Sequence, residues 1–121
     1  MAKNNRQAGA VYEQKAAGYL AGKGYRILEQ NFYSRFGEID IIAKDGRYLV
    51  FIEVKYRRDT SCGDPLEAVT AKKQKKICRA AFCYCGKNGY GDRVPCRFDV
   101  VSITGGEDGI THIKNAFDFQ M

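Results

Sequence analysis

Apolar residues in this 121-residue chain fall into short blocks whose spacing changes from helical to extended and back again. Over residues 6–21 they recur every three or four positions, with Tyr12, Ala16 and Leu20 in one stripe. That spacing predicts a helix stopping at Gly22 or Gly24. Glu13 falls at the edge of the stripe, beside Leu20, and not on the solvent side. Residues 25–33, 37–43 and 48–56 then read as three strands. Tyr48 to Val54 shows no alternation, as expected of a strand covered on both faces. A polar loop over residues 57–63 leads to a second helix, for which Asp64 (before Pro65) and Thr70 are competing N-caps. Within it Gln74, Ile77, Cys78, Ala81 and Cys85 share one face, which makes Gln74 the polar member of a buried stripe. After a Gly-rich break at residues 86–91 come a strand over 96–104, a turn at 105–109 and a short last strand over 110–114.

The order helix, three strands, helix, two strands predicts an α/β fold with a central mixed β-sheet flanked by helices. The consecutive strands should be antiparallel, while the long second helix permits a crossover to a parallel neighbour. At this length residues 1–121 make one domain with a genuine core.

The second and third strands meet at Lys44-Asp45-Gly46-Arg47, and Asp-Gly between two β-rich runs signals a hairpin. A turn on Asp45-Gly46 would place Asp40 across from Phe51 and Glu38 across from Glu53. Asp40, Glu53 and Lys55 then share a face, with Asp40 diagonal to Glu53 at about 7–8 Å, a span that one divalent ion can bridge. Charges at the end of so apolar a strand are costly unless paired or metal-bound. An ion pair between Glu53 and Lys55 where the strand emerges into water would account for that dipeptide alone. Glu38 and Asp40 beside it make a cluster of acids that repel unless a cation or a proton intervenes.

Composition narrows the partners. The net charge is +6 and the pI about 9.1, which favours a polyanion. Lys72, Lys73, Lys75, Lys76 and Arg79 crowd the second helix, and Arg57 and Arg58 follow Glu53-Val54-Lys55 directly. Basic groups around an acidic cluster suit a phosphodiester backbone lying over a metal site, although a lysine face on a helix is equally what a merely solvated side looks like. The five cysteines are odd in number and include no Cys-x-x-Cys, and the sole histidine is His112. Neither a disulfide framework nor a zinc site is expected, and Cys78 and Cys85 should pack as small apolar residues. The apolar runs are strand-sized and no signal-peptide core follows the N-terminal Met-Ala-Lys-Asn-Asn-Arg, so a cytoplasmic protein without membrane partners is expected.

Asp40, twelve intervening residues and Glu53-x-Lys55 resemble the Asp…Glu-x-Lys signature of the restriction-endonuclease-like, or PD-(D/E)xK, nuclease superfamily. A longer ordered text runs from about residue 9 to residue 103. It comprises Glu13-x-x-Ala16-x-x-Tyr19-Leu20, Gly24-Tyr25-x-Ile27-Leu28, Asn31, Gly37-Glu38-Ile39-Asp40-Ile41-Ile42-Ala43, Val50-Phe51-Ile52-Glu53-Val54-Lys55-x-Arg57, Ala68-Val69, Lys73-Gln74 and Arg97-Phe98-Asp99-Val100-Val101. That text resembles the bacterial YraN-like family, itself similar to archaeal Holliday-junction resolvases. The resemblance implies a restriction-endonuclease-like nuclease domain with Glu13, Asp40, Glu53, Lys55 and Gln74 as active-site residues. The chain departs from the family at Tyr12, where many relatives have Gly, and at Tyr56, where Thr is common; Tyr12 would stand close to Glu13.

Asp40, Glu53 and Glu13 would be the ligands of Mg²⁺ (or Mn²⁺), since hard oxygen donors suit that ion. Lys55 would orient or deprotonate a water or stabilise developing charge, and Gln74 would orient a ligand or the scissile phosphate. Arg57, Arg58, Lys72, Lys73, Lys75, Lys76 and Arg79 would contact nucleic acid. The expected activity is metal-dependent endonucleolytic hydrolysis of DNA, with branched DNA suggested by the resolvases alone. Cutting a symmetric junction or both strands of a duplex would favour a homodimer. The alternative is a non-catalytic nucleic-acid-binding module with a vestigial nuclease site. A third reading, a redox or zinc-linked protein, would rest on Cys78, Cys83 and Cys85.

Overall fold

The computed structural model describes residues 2–57, 69–91, 93–105 and 109–120, with side chains from residue 10 onward. Helix α1 (Ala2–Gly22) precedes strands β1 (Arg26–Ser34), β2 (Gly37–Asp45) and β3 (Tyr48–Arg57). Helix α2 (Ala71–Lys87) follows, then β4 (Cys96–Thr104) and β5 (Ile110–Phe117). The five strands form one sheet in the order β1-β2-β3-β4-β5, antiparallel except for the β3–β4 pair, which α2 connects in parallel. This is the expected α/β, restriction-endonuclease-like architecture: a central mixed sheet with helices on both sides.

Period-two alternation sorts the strand residues onto two faces. Ile42, Leu49, Phe51, Phe98 and Val100 pack with Ile77, Cys78, Ala81, Tyr84 and Cys85 of α2. Ile41, Ala43, Val50, Ile52, Val101 and Ile103 pack with Ala16, Ala17 and Leu20 of α1. Leu49 to Glu53 is buried without interruption, because β3 is central and both faces are covered. Cys78 and Cys85 are core residues, and the four described cysteines are free thiols. Cys62 and Asp64 lie outside the described residues.

Three boundaries differ from the sequence reading. Helix α1 begins at Ala2, since Lys3-Asn4-Asn5 holds no proline or glycine to stop it. Strand β5 runs on to Phe117 through Asn115, whose φ of 53° marks an irregularity in its pairing with β4. Most consequential is the hairpin. Its pairs are Asp45↔Tyr48, Lys44↔Leu49, Ala43↔Val50, Ile42↔Phe51 and Ile41↔Ile52, so the turn is Gly46-Arg47 and not Asp45-Gly46. Gly46 takes φ 60°, the left-handed value that a II′ turn requires of its first central residue. The register moves by two residues, which keeps the parity of the paired positions; beyond the ladder, Ile39 joins the α2-side cluster although Ile41 belongs to the α1-side one.

Candidate active site

Pairing between β2 and β3 stops at Ile41↔Ile52, whereas β3 stays paired with β4 as far as Arg57↔Thr104. Continuing the hairpin register by one residue puts Asp40 opposite Glu53, not diagonal to it. Directly opposed side chains start about 4.5–5.5 Å apart at Cβ. A ladder that stops inside a sheet leaves amides to satisfy. Asp40 meets one of them: its Oδ2 accepts the Val54 N–H at 2.8 Å. The carboxylate is thereby fixed at the end of the ladder, where Glu53 begins the exit of β3.

Both acids are buried, Asp40 at 9% exposure and Glu53 at 6%. Burial first, then the charge of Glu53, push the Asp40 carboxyl up to about 8, against the opposing pull of the Val54 hydrogen bond. Glu13 and Glu38 add to the same repulsion. Glu13 is itself raised, by burial and by the fields of Glu38 and Glu53, while a hydrogen bond from Asn31 lowers it. The acids of α1, β2 and β3 therefore sense one another's charge. Among the described residues no three His, Cys, Asp or Glu side chains converge into a ready-made metal cage. The donor set still fits Mg²⁺, which keeps several waters and uses one or two carboxylates plus substrate oxygens.

Glu53 is held by two ammonium groups. Lys73 Nζ lies 3.0 Å and Lys55 Nζ 3.3 Å from the same oxygen, Oε1. Burial and the nearby Lys73 lower the Lys55 pKa, against the pull of Glu53. Lys73, by contrast, is raised: burial works against its charge, but its contacts with Lys55 and Glu53 outweigh it.

The sequence reading groups Lys73 with the lysines of α2 that would contact nucleic acid, and its position differs from theirs. It leans in from the first turn of α2 onto Glu53, whereas Lys72, Lys75, Lys76 and Arg79 are exposed. The signal was present, because Lys73 precedes buried Ile77, Ala80 and Tyr84 at helical spacing. Thr70 is the N-cap, and its hydroxyl accepts the Lys73 N–H at 3.2 Å. Thr70, Lys72, Lys73 and Lys76 line an open cavity of about 260 Å³.

Gln74 lies one residue further along, with its amide engaged elsewhere. Nε2 donates to the Val69 carbonyl at 3.1 Å, and Oε1 accepts from Gln120 at 2.7 Å. Arg57 is half-buried at the end of β3, and Arg58 lies outside the described residues.

Asn31 is a residue to which the sequence reading gives no role. The β1–β2 register places it across from Asp40, in the left-handed conformation at φ 55° that Asn tolerates better than most residues. Its side chain bonds Glu13. Tyr12 does not fill the acid cluster. Its ring stacks on Tyr56 with centroids 4.0 Å apart and planes at 6°, so the two departures from the family pattern form one contact.

The other half of the family text has a structural explanation. On the α1 face, fully buried Asp99 accepts from Arg97 Nε at 2.9 Å, Tyr25 OH at 3.2 Å and the Asn115 N–H at 3.0 Å. His112 Nε2 lies 2.8 Å from the same carboxylate, and Lys23 Nζ lies 2.9 Å from His112 Nδ1. Arg97 also pairs with Asp45 at 2.9 Å, which ties the hairpin to β4.

Residues 12–103 match the sequence profile of the uncharacterised protein family UPF0102. A UPF0102 protein of Lachnoclostridium phytofermentans is 47% identical over 115 residues, covering 95% of this chain and 96% of the relative. A UPF0102 protein of Symbiobacterium thermophilum is 48% identical over 116 residues, covering 93% and 98%. One of Chromohalobacter salexigens is 44% identical over 117 residues, covering 95% and 94%. The chain belongs to the UPF0102 family. Among the described residues no helix is long and apolar enough to cross a membrane.

Proposed function

We propose that this chain is a divalent-metal-dependent endonuclease that hydrolyses DNA phosphodiester bonds. The observation that carries the reading is the buried Asp40 and Glu53 pair at the end of the β2–β3 ladder, with Lys55 beside it and a basic helix bordering it. Two neighbouring buried carboxylates, one with its pKa pushed up to about 8, attract a cation more strongly than a surface pair would.

Asp40 and Glu53 would hold Mg²⁺ or Mn²⁺, with Glu13 as the third acid of the site. The bound ion would supply an acidified water and charge relief at the phosphoryl oxygens. Asp40 keeps its orientation through Val54. Lys55, with its pKa lowered, accepts a proton from the attacking water or faces the developing charge on phosphorus. Asn31 holds Glu13. The exposed side of α2 with Lys72, Lys75, Lys76 and Arg79, joined by Arg57 and Arg58, would carry the DNA backbone. Branched DNA is the substrate that the likeness to resolvases suggests, and a two-fold homodimer would suit it.

The test is cleavage of single-stranded, duplex, flap and four-way-junction DNA and of RNA, with Mg²⁺, Mn²⁺ or EDTA, using wild type and Glu53→Ala. Metal-dependent cutting that is lost in the variant is the expected result. Full cutting by the variant would remove Glu53 from the site. One observation favours the non-catalytic module instead: Lys55 and Lys73 already neutralise Glu53 without any metal. A module of that kind would bind DNA with a steep salt dependence and ignore Mg²⁺ at fixed ionic strength.

A further inference from the structure

We propose that Lys73 is a displaceable internal cation that couples polyanion binding to divalent-metal binding at Glu53. The inference rests on the metal-site reading of Asp40 and Glu53 and adds to it a form of control built into the chain.

One carboxylate oxygen, Glu53 Oε1, carries both ammonium contacts, and Lys73 is the closer of the two at 3.0 Å. A divalent ion taking Glu53 as a ligand must compete with those ammonium groups for the carboxylate. The two lysines differ in where they can go. Lys55 is on the same strand and the same face as Glu53, two residues away, so it remains at the site. Lys73 comes from another element, and its side chain is 37% exposed. It also lines the open cavity formed with Thr70, Lys72 and Lys76. A change of rotamer carries Nζ from Glu53 toward that cavity without any movement of the backbone.

The cavity suits an anion. Three of its four lining residues are lysines, and the first turn of the 17-residue α2 contains no acidic side chain. Lysines at a helix N-terminus oppose the helix dipole, and an anion there relieves both. A phosphodiester lying in the cavity would draw Lys73 outward and leave Glu53 short of a cation. A metal ion taking Glu53 would release Lys73 toward the phosphodiester. Each ligand thus strengthens the other by the same factor, because binding linkage is reciprocal. In the absence of nucleic acid the site's own lysine competes with metal for Glu53 and weakens its binding.

The test compares wild type, Lys73→Met and the charge-matched control Lys87→Met, at the exposed far end of α2. Mn²⁺ affinity of the free proteins is read by calorimetry. DNA affinity is read with and without Ca²⁺ at constant ionic strength. The expected result is that Lys73→Met binds Mn²⁺ about 5-fold or more tightly than either of the others, the lower bound of usual coupling strengths. Ca²⁺ should strengthen DNA binding by wild type and Lys87→Met, and do so much less in Lys73→Met. Equal Mn²⁺ affinity in the two variants overturns the proposal, while measurable binding by wild type keeps the metal-site reading. Tighter Mn²⁺ binding with unchanged coupling to DNA overturns the coupling and leaves only a counter-ion. No Mn²⁺ binding by any of the three proteins defeats both readings at once.

Discussion

Val54 donates its backbone N–H to Asp40 Oδ2 at 2.8 Å, so the carboxylate that faces Glu53 in the continued register also repairs the end of the β2–β3 ladder. Structure and proposed chemistry place opposite demands on Asp40. The cap needs only an acceptor, whereas metal binding needs the charge that burial and Glu53 penalise.

Asp40→Asn separates these demands. Asn keeps an acceptor for Val54 and carries no charge. The Asp40 carboxyl is raised to about 8 in the folded protein and titrates at about 4 when unfolded. Its contribution is therefore fully present below about pH 4 and is lost as pH rises toward 8. Wild type in EDTA should lose stability across that window relative to Asp40→Asn. The variant should lead at pH 8 by up to about 5 kcal/mol. Mn²⁺ should raise the melting temperature of wild type alone. Melts at pH 4.5, 6 and 8 check both; a variant no more stable than wild type at pH 8 would mean that the charge is already compensated.

Much of this arrangement was legible in the sequence, to the extent that periodicity specifies it. Parity along a strand is a property of the chain, so the shared face of Asp40, Glu53 and Lys55 was readable. Register depends on which turn residue takes the left-handed φ, and Asp45-Gly46 left that open until Gly46 proved to be the first residue of the turn. Lys73 was obscured by its neighbours: in Lys72-Lys73-Gln74-Lys75-Lys76 the pattern of charge conceals the one lysine in line with Ile77 and Ala80. Asn31 and Asn115 look like strand breakers. The sheet accommodates both as left-handed residues, each close to an aspartate that bonds into a ladder break.

Asp99 should prove structural. Its carboxyl is held at about 2, chiefly by His112 and Arg97 working against burial. A depressed pKa gives stability that is present above the unfolded value of about 4 and is lost as pH falls through 2. Asp99→Asn takes from Arg97 its fully buried partner and leaves it only Asp45 at the hairpin, and should cost about 3–5 kcal/mol at pH 7, as for other broken buried pairs. Urea denaturation at pH 7 measures the loss. Metal affinity should be unchanged while the variant remains folded, because Asp99 is on the opposite face of the sheet from Glu53. A weakened Mn²⁺ affinity in folded protein would contradict that division of roles.

Tyr12 and Tyr56 should behave as one unit. Rings this close and parallel are worth about 0.5–1.5 kcal/mol beyond the area that they bury. Tyr12→Ala and Tyr56→Thr should therefore cost less together than the sum of their separate costs, with a coupling of that size in a double-mutant cycle. Additive costs would show that the stack contributes area alone.

The path of DNA across the protein can be tested on α2 independently of cleavage. Lys72 and Lys76 line the cavity beside the acids, while exposed Lys75 does not. Each lysine that neutralises a phosphate of duplex DNA contributes about 0.9 to the slope of log affinity against log salt. Lys72→Gln with Lys76→Gln should therefore reduce the slope by about 2, and Lys75→Gln, a single change on the same exposed side, by about 1. Single-turnover cleavage at saturating DNA should survive the double change, because neither lysine contacts Glu53. If the slope is the same in all three proteins, the backbone does not cross the N-terminal turns of α2. The positive charge of the chain would then act through Arg57 and Arg58 beyond the end of β3.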